Sequence, residues 1–149
     1  MPRFILLDRT RKSLQFFFQK IKQEFNHNLD SFFVHGELKG KEFLSVLSKA
    51  DVLVFPSICL EVFGQVWAEA MKLKIPVIAS DIGGISEYVK DNGILFTPGD
   101  YVALAEKIDI VFNQDNKDMI EKGYEFVSKN CNIDKAYVEV KDIYLELGS

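Results

Sequence analysis

The chain has 149 residues, the length of a single domain. Hydrophobic residues make up 48% and charged residues 27%, a balance that builds a core and argues against disorder. The formal net charge of −4 argues against nucleic acid as a main partner, because phosphate backbones select basic surfaces.

The first apolar run, residues 4–7, is broken by Asp8 and Arg9, so the start does not read as a signal peptide. No run approaches the length of a membrane span. Residues 1–22 carry Arg3, Arg9, Arg11, Lys12, Lys20 and Lys22 against the single acid Asp8. That pattern reads first as a solvated helix face. An anion site or peripheral contact with an acidic membrane surface is the sharper alternative. Cys59 and Cys131 are far apart and form neither a disulfide framework nor a zinc motif, which points to a reducing, cytoplasmic compartment.

Short apolar runs alternate with amphipathic segments along the chain. Residues 4–7 predict a strand. Leu14, Phe17, Phe18, Ile21 and Phe25 then fall at helical spacing. Residues 32–34 predict a second strand stopped by Gly36, and 41–49 a helix. Residues 52–55 predict a third strand stopped by Pro56. The helix predicted over 64–73 is ended by Pro76, and 77–79 follow as a fourth strand. Gly83 and Gly84 mark a turn before a short helix at 85–90, and 94–96 predict the fifth strand. Helices are predicted at 102–112, 117–129 and 134–147, so 117–149 form a helical C-terminal segment.

Continuous apolar strands alternating with helices imply a parallel sheet covered on both faces. The expected class is α/β: one three-layer domain over 1–149, with a parallel sheet of about five strands. In such sheets ligands bind beyond the carboxyl ends of the strands. The loops there contain no dinucleotide fingerprint, P-loop or nucleophile elbow. His27 and His35 are not paired at ligand spacing, so no metal site is expected. A receiver-type domain needs an Asp at the end of the third strand, where Phe55, Pro56 and Ser57 stand instead.

The loop after the third strand is the informative one. Glu61 and Glu69 flank Phe63 and Gly64, and a helix begins near the glycine. Unpaired N–H groups at a helix start suit a diphosphate, and Gly64 permits close approach to the backbone. A carboxylate such as Glu69, on a helix otherwise rich in Val66, Trp67, Ala68, Ala70 and Met71, matches two ribose hydroxyls or an Arg. Equally, Glu61 serves as a partner of the helix dipole and Glu69 as an exposed helix residue. Spacing alone does not separate the two.

Several motifs together resemble the donor-binding half of the group 1 retaining glycosyltransferases of the GT-B fold. They comprise Ala50 through Ser57, Glu61 through Gly64, Glu69-Ala70-Met71, Ile75 through Gly84 with Glu87, and Asn92 through Asp100. Phe33, Val34, His35, Gly36, Glu37 and Leu38 fit upstream. The resemblance implies a Rossmann-like domain, and closing the sheet over the family's absent central strand gives the five strands the order 2-1-3-4-5. It also implies a nucleotide-diphosphate sugar as donor and no metal or other cofactor. It assigns Glu69 to the ribose hydroxyls and Glu61, the catalytic candidate, to the transferred sugar and its leaving phosphate. Ser57, Phe63, Gly64 and Gln65 would meet the sugar and diphosphate, and Gly36, Glu37 and Leu38 the base.

Two alignments of the first strand remain open. One matches residues 4–7 to the family's second strand. The other places Arg9 and Lys12 on the Arg/Lys pair that grips the diphosphate. A further departure is Lys74, where the family usually closes the helix with Gly. The family's acceptor-binding domain is not expected within this length. The missing partner is then that domain or a second copy, which the apolar stripe Tyr137, Val140, Ile143, Tyr144 and Leu147 would serve. Two functions stay in view: the nucleotide-sugar-binding half of a glycosyltransferase, or a degenerate Rossmann-like binding module without transfer.

Overall fold

The computed structural model describes the strand Phe4–Leu6 and residues 38–58, 60 and 62–147. The second predicted strand and the helix predicted before it lie outside the described residues. Four strands are described: β1 (Phe4–Leu6), β2 (Val52–Phe55), β3 (Val77–Ser80) and β4 (Ile94–Phe96). They form one parallel sheet in the order β1-β2-β3-β4. Strand β1 lies directly beside β2, with Phe4 opposite Val52 and Leu6 opposite Val54, as the predicted order requires. The helices are α1 (Gly40–Leu47), α2 (Val66–Lys72), α3 (Ile85–Val89), α4 (Tyr101–Asn113), α5 (Lys117–Asn130) and α6 (Ile133–Leu147).

Every residue of β2 and β3 is buried. The two-residue period of a strand divides these side chains between two cores. Leu53, Phe55, Val77 and Ala79 pack with Leu47 of α1, Trp67, Ala70 and Met71 of α2, Ile85 of α3 and Val127 of α5. Val52, Val54 and Ile78 pack with Phe96 and with Leu104 and Val111 of α4 on the other face. The result is the three-layer α/β arrangement. Asp100 caps α4, accepting the Ala103 N–H at 2.9 Å.

Helix α5 descends closely onto α2 because Gly123 lacks a side chain. A Cβ there would meet the Asn92 carbonyl at 3.0 Å and Met71 Cγ at 3.2 Å. Helix α6 presents Ile133, Tyr137, Val140, Ile143 and Tyr144 exposed to solvent. Among the described residues, no helix is long and apolar enough to cross a membrane.

Helix α2 ends in a Schellman motif. The Ile75 N–H donates to the Ala70 carbonyl at 2.9 Å and the Lys74 N–H to Met71 at 3.0 Å. Lys74 accordingly takes the left-handed conformation, at φ +57°, that glycine usually supplies. Its ammonium pairs with Glu121 at 2.6 Å and lies 4.7 Å from the Tyr124 ring centroid. Lys72 approaches the same ring at 5.1 Å and donates to Ser128 Oγ at 2.9 Å. Left-handed backbone costs a residue with a Cβ ~1–2 kcal/mol, whereas an exposed ion pair contributes ~0–1 kcal/mol. Lys74→Gly is therefore expected to raise the urea unfolding midpoint slightly, with a gain of at most ~1 kcal/mol. A clear fall in the midpoint would show that docking onto Tyr124 and Glu121 outweighs the strain.

Candidate functional site

The loops that follow β2, β3 and β4 leave the same carboxyl edge of the sheet. The β2–α2 loop carries most of the sequence candidates. Ser57 is partly buried just beyond Pro56, and Ile58, Leu60 and Val62 are exposed. Phe63 is packed against the core. Gly64 then turns the chain at φ +60°, and Gln65, at φ −57° and ψ −25°, opens α2. The helix begins two residues later than its sequence suggests, because a left-handed residue cannot join a right-handed helix.

The turn leaves a row of main-chain donors. Ala68 and Glu69 donate to the Gln65 carbonyl, at 3.0 and 3.1 Å. No acceptor among the described residues takes the N–H groups of Gly64, Gln65, Val66 or Trp67. A left-handed residue followed by a right-handed one makes a small concavity of N–H groups suited to an anionic oxygen.

Glu69 lies one turn further on. The 3.6-residue period puts it on the face of α2 shared with exposed Gln65 and Lys72, opposite buried Trp67, Ala70 and Met71. It does not point into the core, as the apolar composition of the segment suggests. It is nevertheless partly buried, and desolvation raises its carboxyl above the usual glutamate range. Its carboxylate has no hydrogen-bond or ion-pair partner among the described residues.

Leu38 is partly buried just ahead of α1. Gly36, Glu37, Glu61, Arg9 and Lys12 lie outside the described residues. Among the described residues, no three His, Cys, Asp or Glu side chains gather as a metal-binding group. A groove of about 440 Å³ lies at the opposite, amino-terminal edge, lined by residues such as Ala50, Ile75, Pro76 and Val111.

Two features here gave no signal in the sequence. The Trp67 indole, Phe63 and the Tyr88 ring of α3 pack together behind the loop. At the end of β3, Ser80 is fully buried and its hydroxyl has no partner among the described residues. A small polar residue ending an apolar strand reads simply as the start of a loop. An unpaired buried hydroxyl typically costs ~1–3 kcal/mol. Ser80→Ala is thus expected to be neutral or to stabilise by about 1 kcal/mol in chemical denaturation. A loss of that size would reveal a partner for the hydroxyl.

Comparison with known proteins agrees with this architecture. Residues 15–126 match the family "Glycosyl transferases group 1". An uncharacterised glycosyltransferase of Methanocaldococcus jannaschii is 38% identical over 122 residues, covering 76% of this chain and 34% of that protein. The C-terminal domain of LpcC from Francisella tularensis, itself a group 1 family protein, superposes with a TM-score of 0.62 at 28% identity. That match covers 83% of this chain and 66% of that one. Anabaena HepE, solved in complex with UDP, superposes with a TM-score of 0.77 at 20% identity, covering 98% of this chain and 41% of that one.

The fold is thus the Rossmann-like domain found in GT-B enzymes. The chain belongs to the group 1 glycosyltransferases, and it spans about a third of the curated relatives it matches (34% and 30% of the first two).

Proposed function

We propose that this chain is the nucleotide-sugar-binding half of a glycosyltransferase, with the donor lying across the β2–α2 loop. The observation that carries this reading is Glu69. A partly buried carboxylate stands one helical turn beyond a turn of N–H groups, neither with a partner among the described residues, on the same face as Gln65. Four residues at 1.5 Å rise separate Gln65 from Glu69 by about 6 Å. That is the scale on which ribose hydroxyls stand apart from the diphosphate they are joined to.

In this reading the Glu69 carboxylate accepts the two ribose hydroxyls. The main chain of Phe63, Gly64 and Gln65 meets the diphosphate and the sugar, with Ser57 alongside. Glu61 lies against the transferred sugar, and Gly36, Glu37 and Leu38 near the base. Arg9 and Lys12 follow β1, the strand beside β2, and are the candidates for charge on the leaving diphosphate. Fixed donors aimed at a developing anion lower the barrier electrostatically, and no metal is assigned a part. Transfer also needs an acceptor held against the donor sugar. Every residue assigned here acts on the donor. The UDP complex of HepE makes a uridine nucleotide the first donor to try.

The test is calorimetric titration with UDP, GDP, ADP and UDP-glucose. Glu69→Ala should weaken the best nucleotide by about 2 kcal/mol or more, some 30-fold, because it removes a charged partner of the ribose. Undiminished affinity would remove Glu69 from the site. Glu61→Ala should spare the free nucleotide and weaken the sugar nucleotide, and equal losses for both would contradict that division.

The pH dependence has a defined sign. Only the ionised carboxylate accepts both hydroxyls, so affinity is present above the raised folded-state pKa of Glu69 and is lost as pH falls through it. The loss begins at a higher pH than an ordinary glutamate would give. Stability of the free protein moves the other way. The folded chain binds this proton before the unfolded chain does, so the desolvation cost is present above the folded pKa and relieved on acidification. Titrations across the acid range in wild type and Glu69→Gln check both signs.

A further inference from the structure

The Phe63 carbonyl stands four residues before Trp67, where a regular helix would bond it to the Trp67 main-chain N–H. Here it accepts the Trp67 indole N–H instead, at 2.6 Å. The indole is fully buried and stacked on Tyr88, with ring centroids 5.3 Å apart and planes 10° from parallel. The Phe63 ring stands edge-on to both, at 5.3 and 5.2 Å. Phe126 of α5 closes the cluster at 6.4 Å from the indole.

This bond orients the next peptide. In a trans peptide the C=O and N–H point in opposite directions, and no described peptide is cis. With its carbonyl held by the indole, the Phe63–Gly64 peptide directs the Gly64 N–H away from the core. The left-handed conformation of Gly64 then carries the chain to the free N–H of Gln65. If the indole released that carbonyl, a buried N–H would lose its partner and the peptide would be free to rotate.

We propose that Trp67 is a positioning residue for donor binding: its indole N–H fixes the Phe63–Gly64 peptide so that the Gly64 and Gln65 N–H groups face the diphosphate. The role rests on the donor-site reading above. Trp67 touches no ligand itself; it acts through the main chain it holds. The ribose end of the donor is served by Glu69, one turn away, and does not depend on this peptide. The role therefore has a signature: loss of the indole N–H weakens a ligand with a diphosphate and spares one without.

Trp67→Phe keeps an aromatic ring against Tyr88 and removes the donor. A second chain carrying 3-benzothienylalanine at position 67 keeps the bicyclic shape, with sulfur where the N–H stood. It serves if the Phe variant folds poorly. Two measurements are made on each. Amide exchange at Ala68 and Glu69, whose N–H groups donate to the Gln65 carbonyl at the end of this turn, should quicken about tenfold or more, while β2 and β3 stay as protected as in wild type. In calorimetric titration, UDP-glucose should weaken about tenfold while UMP changes less than twofold.

Unchanged exchange and unchanged UDP-glucose affinity would overturn the positioning role and leave the donor site standing. Equal losses for UMP and UDP-glucose would mark Trp67 as a purely structural residue and overturn it too. A wild-type chain that binds none of the uridine, guanosine and adenosine nucleotides and their sugars would refute the donor site, and the inference would fall with it.

Discussion

Strands β2 and β3 bury their side chains on both faces, and the rest of the domain follows from that constraint. A doubly buried strand cannot leave main-chain donors or acceptors unpaired, so each inner strand is flanked by another. Its two faces need separate apolar partners, and the two-residue period supplies them: Leu53, Phe55, Val77 and Ala79 for one core, Val52, Val54 and Ile78 for the other. Parallel pairing sends each connection back across a face as a helix. The described loops after β2, β3 and β4 each lead into a helix, and the turn at Gly64 stands where main-chain N–H groups are exposed and the apolar layers end. The candidate site is a consequence of how the core is closed.

The same constraint explains what the sequence made legible. Runs such as 52–55 and 77–79 read as strands because a doubly buried strand is apolar at every position. Pro56 and Pro76 mark boundaries by stereochemistry alone. The neighbour of β1 followed from the need to keep buried ladders paired, and β1 does pair with β2. Lys74, singled out because glycine was expected there, does occupy the left-handed position.

Where the reading slipped, it counted residues instead of angles. The segment from Val66 to Met71 is apolar in composition, which suggests that Glu69 points inward. The helical period turns it to the side of Gln65, and its partial burial and raised pKa belong to that side. The Trp67 hydrogen bond could not be read from sequence. Phe63 and Trp67 are four apart, and an aromatic pair at that spacing reads as ordinary core packing. Only coordinates show that the indole N–H has taken a carbonyl that the helix would otherwise use.

Helix α2 is seven residues long, about two turns, and a helix that short has little stability of its own. Its direction, and with it the aim of Glu69, must come from how its ends are fixed. The amino end is held by the buried Trp67 ring, stacked on Tyr88. The carboxyl end is held by the Schellman bonds and by Lys72 and Lys74 on Tyr124 and Glu121. Helix α5 reaches both ends: Phe126 lies against Trp67, and Tyr124, Glu121 and Ser128 meet the two lysines. Gly123 between them allows the approach over Met71. One long helix on the outside thus braces a short one, and the short one carries the carboxylate. Changes along α5, remote from any ligand, are therefore transmitted to Glu69 through the orientation of α2 more readily than changes in α4, which packs on the opposite face of the sheet.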